Sequence, residues 1–237
     1  MNRMTLMILK NLWRIPWVYG KLCHYARNTE DYSEEEKYEF MQYIVGCAAK
    51  AGKVDLQVFG KENIPEEDGF MMYANHPGMF DFMTVVSSFD RPMGLVLKNE
   101  VGKWPLLKQM AKCTNSFPMD TEDIRQSLGV INAVTEEVKK GRNYLIFPEG
   151  TRNKSRDTML EFHAGSFKCA TKARCPILPI ALIDSHKVLD GKGKEPVTVQ
   201  IHYLELIPYE EYAGMSTVEL ARMVRERIGK VIGQKDC

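Results

Sequence analysis

The strongest constraint on the fold of this 237-residue chain is an alternation that begins near Lys53, where short apolar runs alternate with longer amphipathic segments. The apolar runs predict strands at 56–59, 70–74, 95–97, 144–147, 177–183 and 197–204. The amphipathic segments predict helices at 81–88, 104–111, 122–140, 165–173 and 217–232. Strands and helices in alternation indicate a layered α/β sheet. The length accommodates one such domain and a short appendage, and it excludes two large domains.

Composition excludes several classes of protein. A hydrophobic fraction of 44% and a charged fraction of 27% are typical of a chain with a packed core, which excludes a disordered protein. The net charge of +1 argues against nucleic acid as a partner, because no global basic field is present. The six cysteines show no CxxC spacing, and the histidines are scattered, so we expect reduced thiols and no metal site.

The first 28 residues carry five basic residues and no acidic residue. On a helical wheel, four basic side chains line one narrow stripe, and the remaining surface is apolar with two tryptophans. The side chains expected to meet a membrane are Arg3, Lys10, Trp13, Arg14, Trp17 and Lys21. Such a helix suits the surface of an anionic bilayer, and Pro16 should kink it. The alternative is a helix that packs on its own domain with its cations in solvent.

A second helix is predicted to begin at Ser33, which forms a capping box with Glu36, and to end near Gly52. Residues 1–52 are therefore expected to form an amphipathic two-helix segment, and residues 53–237 the α/β domain. No apolar window is long enough to cross a bilayer. The N-terminus also lacks the features of a signal peptide.

The first group of candidate functional residues, Asn75 to Asp81, directly follows the predicted strand 70–74. Loops at the carboxyl ends of strands are where α/β folds present reactive groups. Asp81 would lie in the first turn of the next helix and accept a hydrogen bond from one nitrogen of His76, which leaves the other nitrogen as a base. The alternative is a loop histidine beside an aspartate that only caps a helix.

The second group follows the predicted strand 144–147 and reads Pro-Glu-Gly-Thr-Arg-Asn-Lys-Ser-Arg from 148 to 156. Cations and exposed backbone N–H groups together make an anion site. Arg152 could grip a phosphate, and Glu149 could accept from a hydroxyl or orient Arg152. The alternative is a charged surface loop that only favours solubility.

Together these residues carry a resemblance. Asn-His-x4-Asp at 75–81 and Phe-Pro-Glu-Gly-Thr-Arg at 147–152, in that order, resemble two motifs of the glycerolipid acyltransferases. The nearest resemblance is to the bacterial 1-acyl-sn-glycerol-3-phosphate acyltransferase family. Supporting blocks at 97–107 and 162–180 are also similar to that family, and the similarity runs from about residue 60 to residue 182.

The resemblance implies a single layered α/β acyltransferase domain with a mixed sheet, preceded by an N-terminal two-helix membrane-docking segment. It implies transfer of a fatty acyl group from acyl-CoA or acyl-carrier protein to the sn-2 hydroxyl of lysophosphatidic acid, which gives phosphatidic acid. His76 would be the general base and Asp81 would hold its imidazole. No cofactor is implied beyond the acyl thioester co-substrate, and the implied location is the cytoplasmic face of a membrane. The residues that would bind the phosphorylated acceptor are Glu149, Gly150, Thr151 and Arg152.

One departure from the family pattern concerns the acceptor. Many members have an arginine after the aspartate that corresponds to Asp120, and Thr121 stands here instead. Lys98, Lys103 or Arg125 could replace that arginine. The acceptor could therefore be glycerol 3-phosphate or another lysolipid, and a peripheral lipid-binding protein without catalysis is the alternative from another class.

Overall fold

Seven strands form one mixed sheet in the computed structural model, which describes residues 2–153, 159–191 and 193–233. The strands are β1 (Val54–Phe59), β2 (Met71–Ala74), β3 (Met93–Lys98), β4 (Phe117–Met119), β5 (Asn143–Ile146), β6 (Ile177–Ile183) and β7 (Val197–Tyr203). Their order across the sheet is β1-β7-β6-β2-β5-β3-β4. Every neighbouring pair is parallel except β6 and β7. The predicted α/β fold with a mixed sheet is confirmed.

Helices flank this sheet on both faces. They are α1 (Arg3–Asn11), α2 (Ile15–Arg27), α3 (Glu34–Ala51), α4 (Asp81–Ser88), α5 (Pro105–Cys113), α6 (Ile124–Lys139), α7 (Lys168–Ala173), α8 (His186–Leu189), α9 (Tyr209–Tyr212) and α10 (Thr217–Ile232). Alternate residues of β2 belong to two different hydrophobic clusters, Met72 to one and Met71 to the other. Because β2 is covered on both faces, its sequence is continuously apolar.

Most elements of the α/β region lie close to their predicted positions. The bounds of β6, α4 and α10 are those predicted from the sequence. The sequence analysis missed β4, α8 and α9, each of which has three or four residues. Pro118 lies in the middle of β4, and proline is disfavoured inside a sheet because it has no N–H to donate. Strand β4 tolerates it because this strand lies at the edge of the sheet.

The N-terminal segment differs from the prediction. One kinked helix was expected over the basic stripe, followed by one further helix, whereas the structure has three helices, α1 to α3. The regular α-helical hydrogen bonding is interrupted between Asn11 and Ile15, where the backbone N–H groups of Arg14 and Ile15 donate three residues back, and Pro16 is the second residue of α2. Proline is tolerated there because the first turn of a helix has no intrahelical acceptor for its backbone nitrogen.

Helices α2 and α3 pack against the α/β region. Leu22 and Tyr25 of α2 and Met41 of α3 belong to the hydrophobic cluster that also contains Met72 of β2. The predicted capping box of α3 is half formed. The Ser33 hydroxyl accepts the Glu36 N–H at 3.1 Å, but the Glu36 carboxylate accepts from the Tyr25 hydroxyl at 2.7 Å instead of from the backbone of Ser33.

Candidate active site

The candidate residues meet at one edge of the sheet. Strands β6, β2, β5, β3 and β4 are mutually parallel, so their carboxyl ends share an edge. His76 lies two residues beyond β2, and Glu149 lies three residues beyond β5. Asn75 fixes the end of β2, because its side chain accepts the Leu182 N–H at 2.7 Å and donates to the Leu182 carbonyl at 2.9 Å.

His76 and Asp81 are in direct contact. Nδ1 of His76 lies 2.7 Å from Oδ2 of Asp81, whose side chain is fully buried at the start of α4. The same Oδ2 accepts the Gly78 N–H at 2.9 Å, and Oδ1 accepts the hydroxyl of Ser185. A carboxylate that accepts these hydrogen bonds assigns the ring hydrogen to Nδ1 and leaves Nε2 as the basic nitrogen.

The imidazole is also held by an aromatic ring of the second motif. The rings of His76 and Phe147 stack with centroids 4.3 Å apart and an interplanar angle of 21°. The His76 side chain is 22% exposed, so the ring reaches the surface while one face is covered. Phe147, which directly follows β5, therefore orients the imidazole of the neighbouring loop.

Glu149 connects two loops instead of facing the surface. Its carboxylate is buried and accepts the His76 N–H at 2.7 Å through Oε1 and the Leu160 N–H at 3.1 Å through Oε2. Burial raises the pKa of Glu149 above its ordinary value, and the two N–H donors act in the opposite direction. The expectation that Glu149 orients Arg152 is wrong, because Arg152 forms an ion pair with Asp190.

The two motif loops are joined through the backbone. Asn153 N–H donates to the His76 carbonyl at 2.8 Å, which places the preceding Arg152 beside the histidine loop. Arg152 Nη1 lies 3.0 Å from Asp190 Oδ1, and the arginine side chain is 41% exposed. Thr151 is exposed at the same loop. The further cations Lys154 and Arg156 lie outside the described residues.

Gly150 adopts a left-handed conformation with a φ of 63°. This backbone angle favours glycine, and a Cβ atom here would lie 2.9 Å from the His163 ring, which a larger residue would have to displace. His163 N–H also donates to the Pro148 carbonyl at 2.8 Å. His163, to which the sequence analysis assigned no role, thus supports the arginine loop.

Thr121 and the cations that could replace the missing family arginine are all exposed. Lys98 is the last residue of β3, next to β5 in the sheet, and its side chain reaches solvent at the shared edge. Thr121 lies two residues beyond β4 and is also exposed. Lys103 and Arg125 are exposed on a short helical turn and on α6.

The six residues expected at a membrane have different environments. Trp13 is 73% exposed and Trp17 is 53% exposed, and Lys10 is exposed on α1. The Arg14 guanidinium lies 4.3 Å from the ring centroid of Trp13. Lys21 Nζ lies 4.6 Å from the ring centroid of Phe40 in α3.

The expectation that Arg3 faces a membrane is wrong. Arg3 is 5% exposed, and burial lowers the pKa of its guanidinium. Its side chain donates to the backbone carbonyls of Lys187, Val188 and Glu195. A helical wheel finds the stripe on which Arg3 lies, but it contains no information about carbonyl acceptors more than 180 residues away.

Two contacts within the candidate site were missed by the sequence analysis. Ser185 lies two residues beyond β6 and contacts Asp81, and Asp190 contacts Arg152. The rule that located His76 also applies to Ser185, because β6 is parallel to β2 and ends at the same edge.

Within the described ranges, no group of three or more His, Cys, Asp or Glu side chains could hold a metal ion. No helix in the described part of the chain is both long and apolar enough to cross a bilayer.

The fold, with a histidine–aspartate pair and an arginine loop at one edge of a mixed sheet, is that of an α/β enzyme domain. A family model described as Acyltransferase matches residues 55–183, more than half of the chain. The chain belongs to the acyltransferase family, and the protein is an acyltransferase. The matched residues contain both motif loops.

Named relatives are similar over most of this chain. A 1-acyl-sn-glycerol-3-phosphate acyltransferase of Borreliella burgdorferi is 26% identical over 182 residues, which cover 75% of this chain and 71% of the relative. An enzyme of the same name from Saccharomyces cerevisiae is 26% identical over 65% of this chain and 49% of its own length.

The fold itself is similar to a solved structure. The crystal structure of the 1-acyl-sn-glycerophosphate (LPA) acyltransferase PlsC from Thermotoga maritima superposes with a TM-score of 0.75, over 98% of this chain and 97% of that chain. The sequence identity is 22%, so this likeness supports the fold.

Proposed function

We propose that the protein transfers a fatty acyl group from an acyl thioester to the sn-2 hydroxyl of lysophosphatidic acid, which yields phosphatidic acid. The observation that carries the proposal is the junction of the two motif loops. The imidazole of His76 contacts Asp81, and the backbone carbonyl of His76 accepts the Asn153 N–H at 2.8 Å, directly beside Arg152. A base and a cation therefore lie at one edge, as deprotonation of a hydroxyl and binding of a phosphate require.

The reaction proceeds in two steps. Nε2 of His76 takes the proton of the acceptor hydroxyl while the hydroxyl oxygen attacks the thioester carbonyl carbon. The resulting tetrahedral oxyanion collapses, the carbon–sulfur bond breaks, and His76 returns the proton to the leaving thiolate. The acyl group never bonds to the protein. Asp81 stabilises the imidazolium that exists between the two proton transfers.

The names of the relatives support lysophosphatidic acid as the acceptor. Arg152 presents a planar guanidinium that can bind a phosphate, and Lys98 at the end of β3 adds a cation at the same edge. Because Thr121 replaces an arginine expected in the family, glycerol 3-phosphate and other lysolipids remain the rival acceptors. Acyl-CoA and acyl-carrier protein are the proposed donors, and no further cofactor is needed.

We also propose that α1 and α2 dock on an anionic membrane, at its cytoplasmic face. Large apolar side chains along these helices are exposed, namely Met4, Ile8, Leu9, Leu12, Trp13, Ile15, Trp17 and Tyr19. Lys10, Arg14 and Lys21 lie among them, and the cations of Arg14 and Lys21 are close to aromatic rings. An apolar surface with interleaved cations and tryptophans suits the boundary between headgroups and acyl chains, where the acceptor resides.

Turnover with a panel of substrates tests this proposal. Purified protein is mixed with acyl-CoA or acyl-carrier protein and with lysophosphatidate, glycerol 3-phosphate or lysophosphatidylcholine in anionic vesicles. Release of free thiol carrier and the acylated product are followed by mass spectrometry. We expect phosphatidic acid from lysophosphatidate and at least about a hundredfold loss of turnover in His76→Ala.

Two results would overturn parts of the proposal. Turnover of another acceptor without lysophosphatidate would replace the substrate, and no turnover with any pair would leave a lipid-binding protein. Undiminished turnover in His76→Ala would refute the base assignment.

A further inference from the structure

The seven residues that follow β6 contact both halves of the active site, although the family match ends at residue 183. We call the segment Asp184–Asp190 the brace. It contains the short helix α8 and contacts the loop of His76. Asp184 has a positive φ of 64°, which turns the chain sharply out of β6 and brings Ser185 toward Asp81.

The first contact of the brace is made by Ser185. This residue is completely buried, and its hydroxyl donates to Oδ1 of Asp81. A serine directly before a helix ordinarily caps that helix, but Ser185 makes no side-chain hydrogen bond to the backbone of α8. Its hydroxyl is committed to Asp81 instead. Oδ2 of Asp81 therefore accepts from Gly78 N–H as well as from His76 Nδ1, and Oδ1 accepts from Ser185. Donors on both oxygens fix the plane of the carboxylate.

The second contact is made by Asp190, at the other end of the brace. Its Oδ2 accepts the Met79 N–H at 3.0 Å, and its Oδ1 lies 3.0 Å from Arg152 Nη1. One carboxylate therefore connects the histidine loop with the arginine loop. The Asp190 side chain is only 25% exposed, so solvent screens this ion pair less than it screens a fully exposed one.

The brace is itself fixed from two sides. A Cβ atom on Gly78 would lie 2.5 Å from the Cα of His186, so the histidine loop and the brace are in direct backbone contact. From α1, the buried Arg3 donates to the carbonyls of Lys187 and Val188. A segment held in this way can transmit a fixed geometry to the groups that it contacts.

We propose that the brace is a positioning element for acyl transfer, in which Ser185 orients Asp81 and thereby His76, while Asp190 orients Arg152 for the acceptor phosphate. The proposal rests on the acyl transfer proposed above. Ser185 acts through the base and therefore affects the chemical step. Asp190 acts through the arginine and therefore affects binding of the acceptor.

Kinetics of Ser185→Ala test the first half. The matched control is Ser88→Ala, which also removes a buried hydroxyl, one that bonds the Thr84 carbonyl and Tyr203 at the far end of α4. We expect Ser185→Ala to lower kcat at least about tenfold with little change in the acceptor KM, and Ser88→Ala to leave kcat within about twofold. Equal loss in both variants, or an unchanged kcat in Ser185→Ala, would overturn this half.

Kinetics of Asp190→Asn test the second half. The control is Asp90→Asn, which removes a carboxylate from an exposed ion pair with Lys61. We expect Asp190→Asn to raise the acceptor KM about tenfold while kcat at saturation changes less than threefold, and Asp90→Asn to change neither. A lowered KM would show that Asp190 competes with the phosphate for Arg152, which would overturn the positioning role, as would an unchanged KM.

A measurement without substrate separates this proposal from the proposed function. Proton NMR of the wild-type protein should show a strongly downfield signal from the Nδ1 hydrogen of His76, absent in His76→Ala. We expect this signal to shift or broaden in Ser185→Ala and to persist unchanged in Ser88→Ala. If the wild-type enzyme turns over no substrate, the proposed function fails, and an unaltered signal in Ser185→Ala then overturns the brace independently.

Discussion

Nδ1 of His76 lies 2.7 Å from Oδ2 of Asp81, and this aspartate is completely buried. A buried carboxylate at that distance selects one tautomer of the imidazole and fixes the direction of its second nitrogen. His76 stacks on Phe147, so its ring has little rotational freedom. The basic nitrogen thus has a defined position before any substrate binds.

Substitution of Asp81 should disable the enzyme without unfolding it. Asp81→Asn keeps the shape of the side chain but loses the charge that selects the tautomer, so we expect kcat to fall by at least about a hundredfold. Steady-state release of free CoA measures the effect, and circular dichroism monitors the fold. A kcat within a few-fold of the wild type would contradict a role for Asp81 in the reaction.

Substitution of Gly78 should disturb the contact between the histidine loop and the brace. Gly78→Ala places a Cβ atom 2.5 Å from the Cα of His186, whereas Gly165→Ala adds its methyl group where no atom lies within 4 Å. We expect Gly78→Ala to lower the free energy of unfolding by about 1–3 kcal/mol and to reduce kcat, because the backbone must shift. Gly165→Ala should change neither. Equal denaturant midpoints for the two variants would contradict this close approach.

Glu149 should make stability depend on pH in a defined direction. Its pKa is raised, so the folded protein holds this proton more tightly than the unfolded chain does. Protonated Glu149 therefore contributes to the free energy of unfolding at low pH. This contribution is lost as the pH rises from the ordinary pKa of a glutamate through the raised pKa that Glu149 has in the folded protein. Glu149→Gln removes this titration, so the wild-type stability minus the variant stability should decrease across that range. Denaturant unfolding at several pH values measures it.

The control for that experiment is Glu62→Gln at an exposed position. Its stability difference from the wild type should not follow the course expected for Glu149. If the Glu149 difference grew with rising pH, the ionised carboxylate would be the better bound form, and the N–H donors would outweigh burial.

The basic residues of α1 and Arg14, which directly precedes α2, should separate into two groups. Arg3→Met removes charge-assisted hydrogen bonds to backbone carbonyls, and we expect a loss of about 2–3 kcal/mol in the free energy of unfolding with unchanged vesicle binding. Lys10→Gln combined with Arg14→Gln should do the reverse and weaken binding to anionic vesicles roughly thirtyfold. Co-sedimentation and denaturant unfolding measure the two effects. Equal loss of vesicle binding in both proteins would contradict this division.

Burial should decide which cysteines react. Burial raises the pKa of Cys113 to about 11 and the pKa values of Cys169 and Cys175 to about 12, so their thiolates are scarce at neutral pH. Cys23 and Cys47 are partly exposed. Under native conditions we expect iodoacetamide to label Cys23 and Cys47 and to reach Cys113, Cys169 and Cys175 only after unfolding, as read by peptide mass spectrometry. Rapid native labelling of Cys169 would contradict the packing of α7.

The sequence predicts local relationships well and distant ones poorly. The bounds of β6 follow from a continuous apolar run, and the contact of His76 with Asp81 follows from a strand end and a helix start close together in the chain. Ser185 was missed because its importance depends on β6 being parallel to β2, and pairing between distant strands has no local signal.

Long-range polar contacts account for the other errors. Glu149 was expected to face a substrate, yet its carboxylate is buried and accepts hydrogen bonds from the backbone of two other loops. Arg3 fits an amphipathic stripe by periodicity, and only the packing of α1 against α8 removes it from the surface. Hydrophobic periodicity reports which side of a helix is distinct, but it does not report what covers that side.

The hydrogen bonds from Arg3 to the carbonyls of α8 have a practical consequence for how this enzyme is produced and trimmed. Deleting α1 to simplify production of the protein would also remove the hydrogen bonds that Arg3 makes to the brace, the segment proposed to position Asp81 and Arg152. A shortened enzyme would then lose turnover for two unrelated reasons, namely the loss of the proposed membrane-docking surface of α1 and the loss of the support that Arg3 gives to the brace. Point substitutions on the exposed surface of α1 separate these two effects. An affinity tag is better fused where it leaves the hydrogen bonds of Arg3 intact.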